Sequence, residues 1–210
     1  MKTNLQNFSD RKKNKRKLAS FDGCMIDLKD ELPLMFKAFN EALEKYEVIL
    51  NQTKPESRAR GFEASLLNTE MIESIQKHFP EFWRFAKYKR FTLRVKGYVV
   101  LFKKLNNSDK PMNIKTKSVD AISEQLTLPL FENDSSLTEP ILFFGYRKNK
   151  LGMIIDPKLV YIDENQVKWT INSDDVDNIG LTGFEELNPV SPDAPRPILR
   201  EDIAKKVSNK

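Results

Sequence analysis

The residues best placed to do chemistry lie between positions 82 and 108. This window holds eight basic residues, Arg84, Lys87, Lys89, Arg90, Arg94, Lys96, Lys103 and Lys104, and no acid. Phe82, Trp83, Phe85, Tyr88, Phe91, Tyr98 and Phe102 are interleaved with them. Nucleic-acid surfaces combine these types, because cations displace counterions from phosphates and rings stack on unpaired bases. A second reading is equally physical. The aromatic side chains can be core, and the cations a solvated face that acidic helices or an acidic partner protein neutralise. Both readings make these eight residues the candidate binding surface, and neither needs a cofactor or a metal.

Catalytic chemistry finds few starting points. The single His78 excludes any mechanism or metal site that needs two histidines, and it precedes Phe79-Pro80 at an expected helix end, where a histidine complements the helix dipole. The single Cys24 excludes an internal disulfide and a cysteine zinc site, and no cation or base beside it in sequence would activate it as a nucleophile. Asp156, Asp163, Glu164 and Lys168 are the types a metal-dependent nuclease gathers at strand ends, but their spacing follows no metal-binding motif. Asp174-Asp175-Val176-Asp177 lacks the glycine and the closing glutamate of a calcium loop, and the seven glycines form no phosphate loop. Two polar patches, Asn113 to Thr116 and Gln125 ahead of Leu126-Thr127-Leu128-Pro129-Leu130-Phe131, read as loop fasteners. The segment Leu128 to Phe131 reads either as core or as a docking segment.

The elements that must position the basic window follow from periodicity. Leu32, Phe36, Phe39, Leu43, Tyr46 and Leu50 alternate by four and three residues and predict a long amphipathic helix from about residue 28, with Asp30 near its N-cap. A second helical pattern covers about 58–79, with Asn68-Thr69 as a candidate second cap, and Pro80 closes it. Glu81 to Tyr88 reads as a short aromatic helix or turn. Arg90 to Val95 alternates with period two, Lys96-Gly97 suits a two-residue turn, and Tyr98 to Leu105 returns as a strand. A short helix near 118–126 precedes three further strands, Ile141–Tyr146, Met153–Ile162 and Gln166–Ile171, the last with Val167, Trp169 and Ile171 inward. The expected architecture is α+β, with N-terminal helices packed on a small, mainly antiparallel sheet of hairpin, short helix and three-stranded meander. Residues 1–20 read as a disordered basic arm, 21–171 as one domain, and 172–210 as an acidic, proline-rich tail.

Composition frames these elements. The 210 residues are 40% hydrophobic and 31% charged, with 35 basic and 30 acidic residues and a net charge of +5. That charge is uneven: residues 1–20 carry +6, residues 82–119 carry +10, and the remainder −11. No stretch of 18 apolar residues suggests a membrane span, and no apolar segment suggests a secretion signal, so a cytoplasmic protein is expected.

Arg60-Gly61-Phe62, Phe102-Lys103-Lys104-Leu105, Asn113 with Thr116, Gln125 with Leu128-Pro129-Leu130, Gly145-Tyr146 and Trp169 together resemble a group of uncharacterised bacterial proteins. These are encoded beside helix-turn-helix regulators with an ImmA/IrrE-type peptidase domain, in the toxin–antitoxin-like arrangement called Rosmer. The likeness spans about residues 58–171. It implies a protein partner encoded by a neighbouring gene and assigns no catalytic residue. The chain has no His-Glu-x-x-His sequence, so it is not itself the peptidase. The leading expectation is a non-enzymatic binding component of a toxin–antitoxin-like or mobile-element module. An enzymatic toxin acting on RNA or DNA, and a structural adaptor, are the alternatives.

Overall fold

A computed structural model describes residues 15–86, 89–127 and 138–181, with no account of the side chains of 179–181. Helix α1 (Phe21–Asp27) starts where the Ser20 hydroxyl accepts a hydrogen bond from the Gly23 amide at 3.1 Å. Helix α2 (Glu31–Gln52) follows the predicted stripe and buries Leu32, Met35, Phe36, Ala38, Phe39, Ala42 and Tyr46. Asp30 occupies its N-cap, but the carboxylate makes no capping bond. A 3₁₀ turn (Pro55–Ser57) leads to α3 (Phe62–His78). This helix runs straight through Asn68-Thr69. The Thr69 hydroxyl is spent on the Ser65 carbonyl four residues back, so it caps nothing. Lys45 pairs with Glu73 and Lys77 with Glu41, which sets α3 antiparallel to α2.

The fold is α+β, and its six strands form one sheet in chain order: β1 (Trp83–Ala86), β2 (Arg90–Val95), β3 (Tyr98–Lys104), β4 (Ile141–Lys148), β5 (Ile154–Asp163) and β6 (Gln166–Asn172). All neighbours are antiparallel except β3 and β4, which run parallel and are joined through α4 (Lys117–Ser123). Lys96 and Gly97, at φ 48° and 80°, form the expected turn between β2 and β3. Helices α1 to α3 cover one face of the sheet, where Phe144 meets Phe36 and Phe39 at ring distances of 5.1 and 5.7 Å. On the other face Ile122 of α4 packs with Val99, Leu101, Leu105, Ile141, Phe143, Val160 and Ile162. Among the described residues no helix is long and apolar enough to cross a membrane.

Three further local expectations differ from the structure. Trp83 to Ala86, read as a turn or helix, is an edge strand, because Trp83 and Phe85 gain ring contacts to Phe91 on β2. Val167 does not share a face with Trp169 and Ile171. A bulge sets Tyr161 against Trp169 but Ile162 against Val167, and turns Val167 toward the α4 side. The acidic stretch after Asn172 opens with a helix, α5 (Ser173–Leu181), whose Val176 is buried in the helix-side core. Asp174 and Asp175 lie in its first turn, where negative charge is favourable.

The basic arm also ends inside the fold. Lys15 forms a β-bridge with Leu126, and Arg16 is 3% exposed, donating to the carbonyls of Leu126 and Glu139. Residues 1–14, 128–137 and 182–210 lie outside the described residues, and with them the whole of Leu128 to Phe131.

Candidate nucleic-acid interface

Strands β1 to β3 carry the basic window. Alternation places Phe91, Leu93 and Val95 against the helices, so Arg90, Thr92 and Arg94 point to the opposite face. The β1–β2 register pairs Arg84 with Thr92 and Ala86 with Arg90, which brings Arg84 onto that same face. Leu101 belongs to the α4-side core, and Lys103, two residues further, joins this face too. Four of the eight predicted cations therefore project from one side of three consecutive strands. Lys104 is exposed on the helix side, Lys96 sits in the hairpin turn, and Lys89 stands at φ 54° just before β2. Lys87 lies outside the described residues.

The charges divide by what faces them. Arg94 is held by Glu139, with its Nε 2.8 Å from one carboxylate oxygen and 3.1 Å from the other. Lys96 lies 3.5 Å from Glu31 at the start of α2. For these two, intramolecular neutralisation is correct. Arg84, Lys89, Arg90, Lys103 and Lys104 have no acidic partner among the described residues. Burial pulls the Lys103 ammonium below the ordinary lysine range, and the nearby Arg90 charge adds to the effect.

The aromatic residues divide as well. Phe91 and Tyr98 are buried, and rings run from Trp83 to Phe91, Phe102 and Phe144 as a continuous path into the core. Phe82 and Phe85 instead keep 48% and 50% of their surface exposed, on either side of Trp83 and Arg84 along the edge strand. Tyr98 donates its hydroxyl proton to Asp27 at 2.8 Å, and this bond ties the hairpin to α1.

The β2–β3 ladder is shorter than either strand. It runs from Val95–Tyr98 to Leu93–Val100 and stops, while β2 stays paired to β1 as far as Arg90 and β3 to β4 as far as Lys104. A cleft of about 300 Å³ opens at this parting, lined by Lys89, Arg90, Phe91, Phe102 and Lys103 with Asn68 of α3.

The other candidates are absorbed by structure. His78 ends α3 as expected, with Nε2 3.1 Å from Glu41. Cys24 is fully buried, and burial with the nearby Asp27 charge pushes its thiol up to about 12, which makes it inert. Asp163 accepts from the Glu164 amide at the β5–β6 turn and pairs with Lys15 at 2.9 Å, while Glu164 pairs with Lys168. Gln125 is fully buried: its Nε2 donates to the carbonyls of Ile141 (2.9 Å) and Ile162 (2.7 Å), and its Oε1 accepts from the Ile141 amide (3.0 Å).

One cluster has no signature in the order of residues along the chain. Asp156 meets Arg147 and, at 2.9 Å, Lys158, while Asp109 lies 3.4 Å from Lys158 and 3.8 Å from Arg147. Two acids and two bases close on one another there, and no local pattern joins residue 109 to 156. Among the described residues no three acidic, histidine or cysteine side chains gather closely enough to hold a metal ion.

Compared with known proteins, the chain matches no family model, no curated protein and no solved structure.

Proposed function

We propose that this chain is the non-enzymatic binding component of a cytoplasmic, bacterial toxin–antitoxin-like or defence module, and that its β1–β3 surface contacts nucleic acid. One observation carries the nucleic-acid reading. Five cations on or beside strands β1 to β3, three of them on one face, lack acidic partners among the described residues, and the half-exposed Phe82 and Phe85 flank Arg84 along the sheet edge. Cations alone would suit any anionic partner. Exposed rings next to them suit unpaired bases, since stacking on an aromatic side chain is worth about 1–3 kcal/mol per base. The module itself is what the sequence resemblance implies.

Fluorescence anisotropy with single- and double-stranded oligonucleotides tests the reading. Neutralising five phosphates on a single strand gives a slope of log K against log salt of about −3.5. Replacing Arg84, Lys89 and Lys104 together by alanine is expected to lower affinity at least tenfold and to flatten the slope by about 2. Absence of binding at low salt, or binding unchanged in the triple variant, removes the nucleic-acid reading and leaves an acidic protein as the partner to seek.

A further inference from the structure

The parting between β2 and β3 is the feature that a flat binding surface does not explain. Neighbouring residues on a strand point to opposite faces. A cleft lined by both Arg90 and Phe91, and by both Phe102 and Lys103, therefore passes between the strands and not over one face. On the α4 side the same gap continues as a small recess that again includes Arg90, Leu101 and Lys103, together with Asn113. Arg90 and Lys103 thus stand together where the sheet opens, half-buried and without an acid to balance them among the described residues. Two like charges in a partly desolvated site repel, and a fold gains nothing from them unless an anion completes the set.

The remaining walls are of another kind. Phe91 and Phe102, with ring centroids 5.9 Å apart, and Met71 and Ile72 of α3 are apolar, with Asn68 the one neutral polar side chain among them. At about 300 Å³ the cleft matches the lower end of small-ligand pockets.

We propose that this cleft is a nucleotide pocket, in which Arg90 and Lys103 hold a phosphate group and the half-buried Phe102, backed by Phe91, receives the attached planar base. It goes beyond the surface reading, because it assigns a discrete small-ligand site. Such a nucleotide is either free or one unit of a strand.

The experiment measures thermal unfolding of the full chain at fixed ionic strength, with adenosine monophosphate, adenosine, or a short oligothymidylate. Adenosine is the control without phosphate. The pocket predicts that the midpoint rises with the monophosphate or the oligonucleotide and not with adenosine. A rise with the monophosphate identifies free nucleotides as ligands, and a rise with the oligonucleotide alone identifies a unit of a strand. Lys103→Met removes the charge and keeps the stem, so this variant should unfold at the same or a higher temperature without ligand, yet bind at least tenfold more weakly. A purely structural lysine would not divide stability from binding in that direction. Arg90→Ala is the second variant and should lose the same response. No shift with either phosphate-bearing ligand, or a shift retained in both variants, overturns the pocket. Should the pocket fail while the wild type still binds oligonucleotides in the anisotropy assay, the surface reading stands alone.

Discussion

Gln125 offers the sharpest test of how the connection ahead of β4 is fastened to the sheet. Its amide makes three hydrogen bonds to backbone on β4 and β5 with no access to water. Replacing it by leucine keeps the volume and removes all three partners. The Ile141 amide and the Ile141 and Ile162 carbonyls are then left buried and unpaired. Each orphaned group costs about 1–3 kcal/mol, so with three of them the variant should lose about 3–9 kcal/mol of stability. Most domains have only about 5–15 kcal/mol in total, so the loss should be visible as a large drop in the urea midpoint with the slope unchanged. Gln125→Glu keeps only the acceptor for Ile141 and turns a carboxylate oxygen toward two carbonyls, so it should be no more stable than the leucine variant at neutral pH. A loss below about 1 kcal/mol for Gln125→Leu would refute the reasoning, because it would mean that water or neighbouring backbone satisfies these groups as well as the amide does.

Gly145→Ala should destabilise the protein by about 1–3 kcal/mol in the same assay, since a Cβ there would lie 2.5 Å from Leu105 Cγ and 2.6 Å from the Lys103 carbonyl, and the backbone oxygen cannot swing aside. Cys24 should react with a thiol reagent only after denaturant is added; modification of the folded protein within minutes at pH 8 would contradict its burial and its raised thiol pKa. The hydrogen bond from Lys77, with the His78 ring close beside it, holds the Glu41 carboxyl at about 2, against an ordinary 4.5. A lowered carboxyl contributes stability that is present above its unfolded value and lost as pH falls through the folded one. The wild type should therefore lose stability between pH 4.5 and 2 more steeply than Glu41→Gln, and equal slopes would count against the pairing.

What could be read from the sequence was whatever a single element decides for itself. The α2 stripe, the Lys96-Gly97 hairpin and the presence of strands β4 to β6 depend on neighbours in the chain, and they lie about where the sequence pattern puts them. Strand β1 was not legible, because its form depends on Phe91, which it meets only after the chain turns back. The Val167 reversal needs the bulge, which exists only once β5 is alongside. Arg16 looked like part of a solvated arm because its partners, the carbonyls of Leu126 and Glu139, are remote in sequence. The candidate site shows the same division. Its cations were plain in the composition, but their sorting into neutralised and unpartnered ones rests on Glu139, 45 residues from Arg94. The cleft between β2 and β3 has no sequence signature at all, since both strands alternate normally through it.

The single parallel junction in the sheet also bears on how the chain reaches this structure. Strands β1 to β3 and strands β4 to β6 are each antiparallel meanders whose partners meet across short turns. The β3–β4 pairing must instead bring together residues separated by the whole connection 105–140, including α4. Closing that connection costs on the order of 2–3 kcal/mol more chain entropy than closing a two-residue turn. Two locally assembled halves joined late along a single seam is the order that this topology favours. On the β4 side of that seam the crossover itself is fastened: Gln125 ties it to β4 and β5, and Arg16 binds the carbonyls of Leu126 and Glu139 within it.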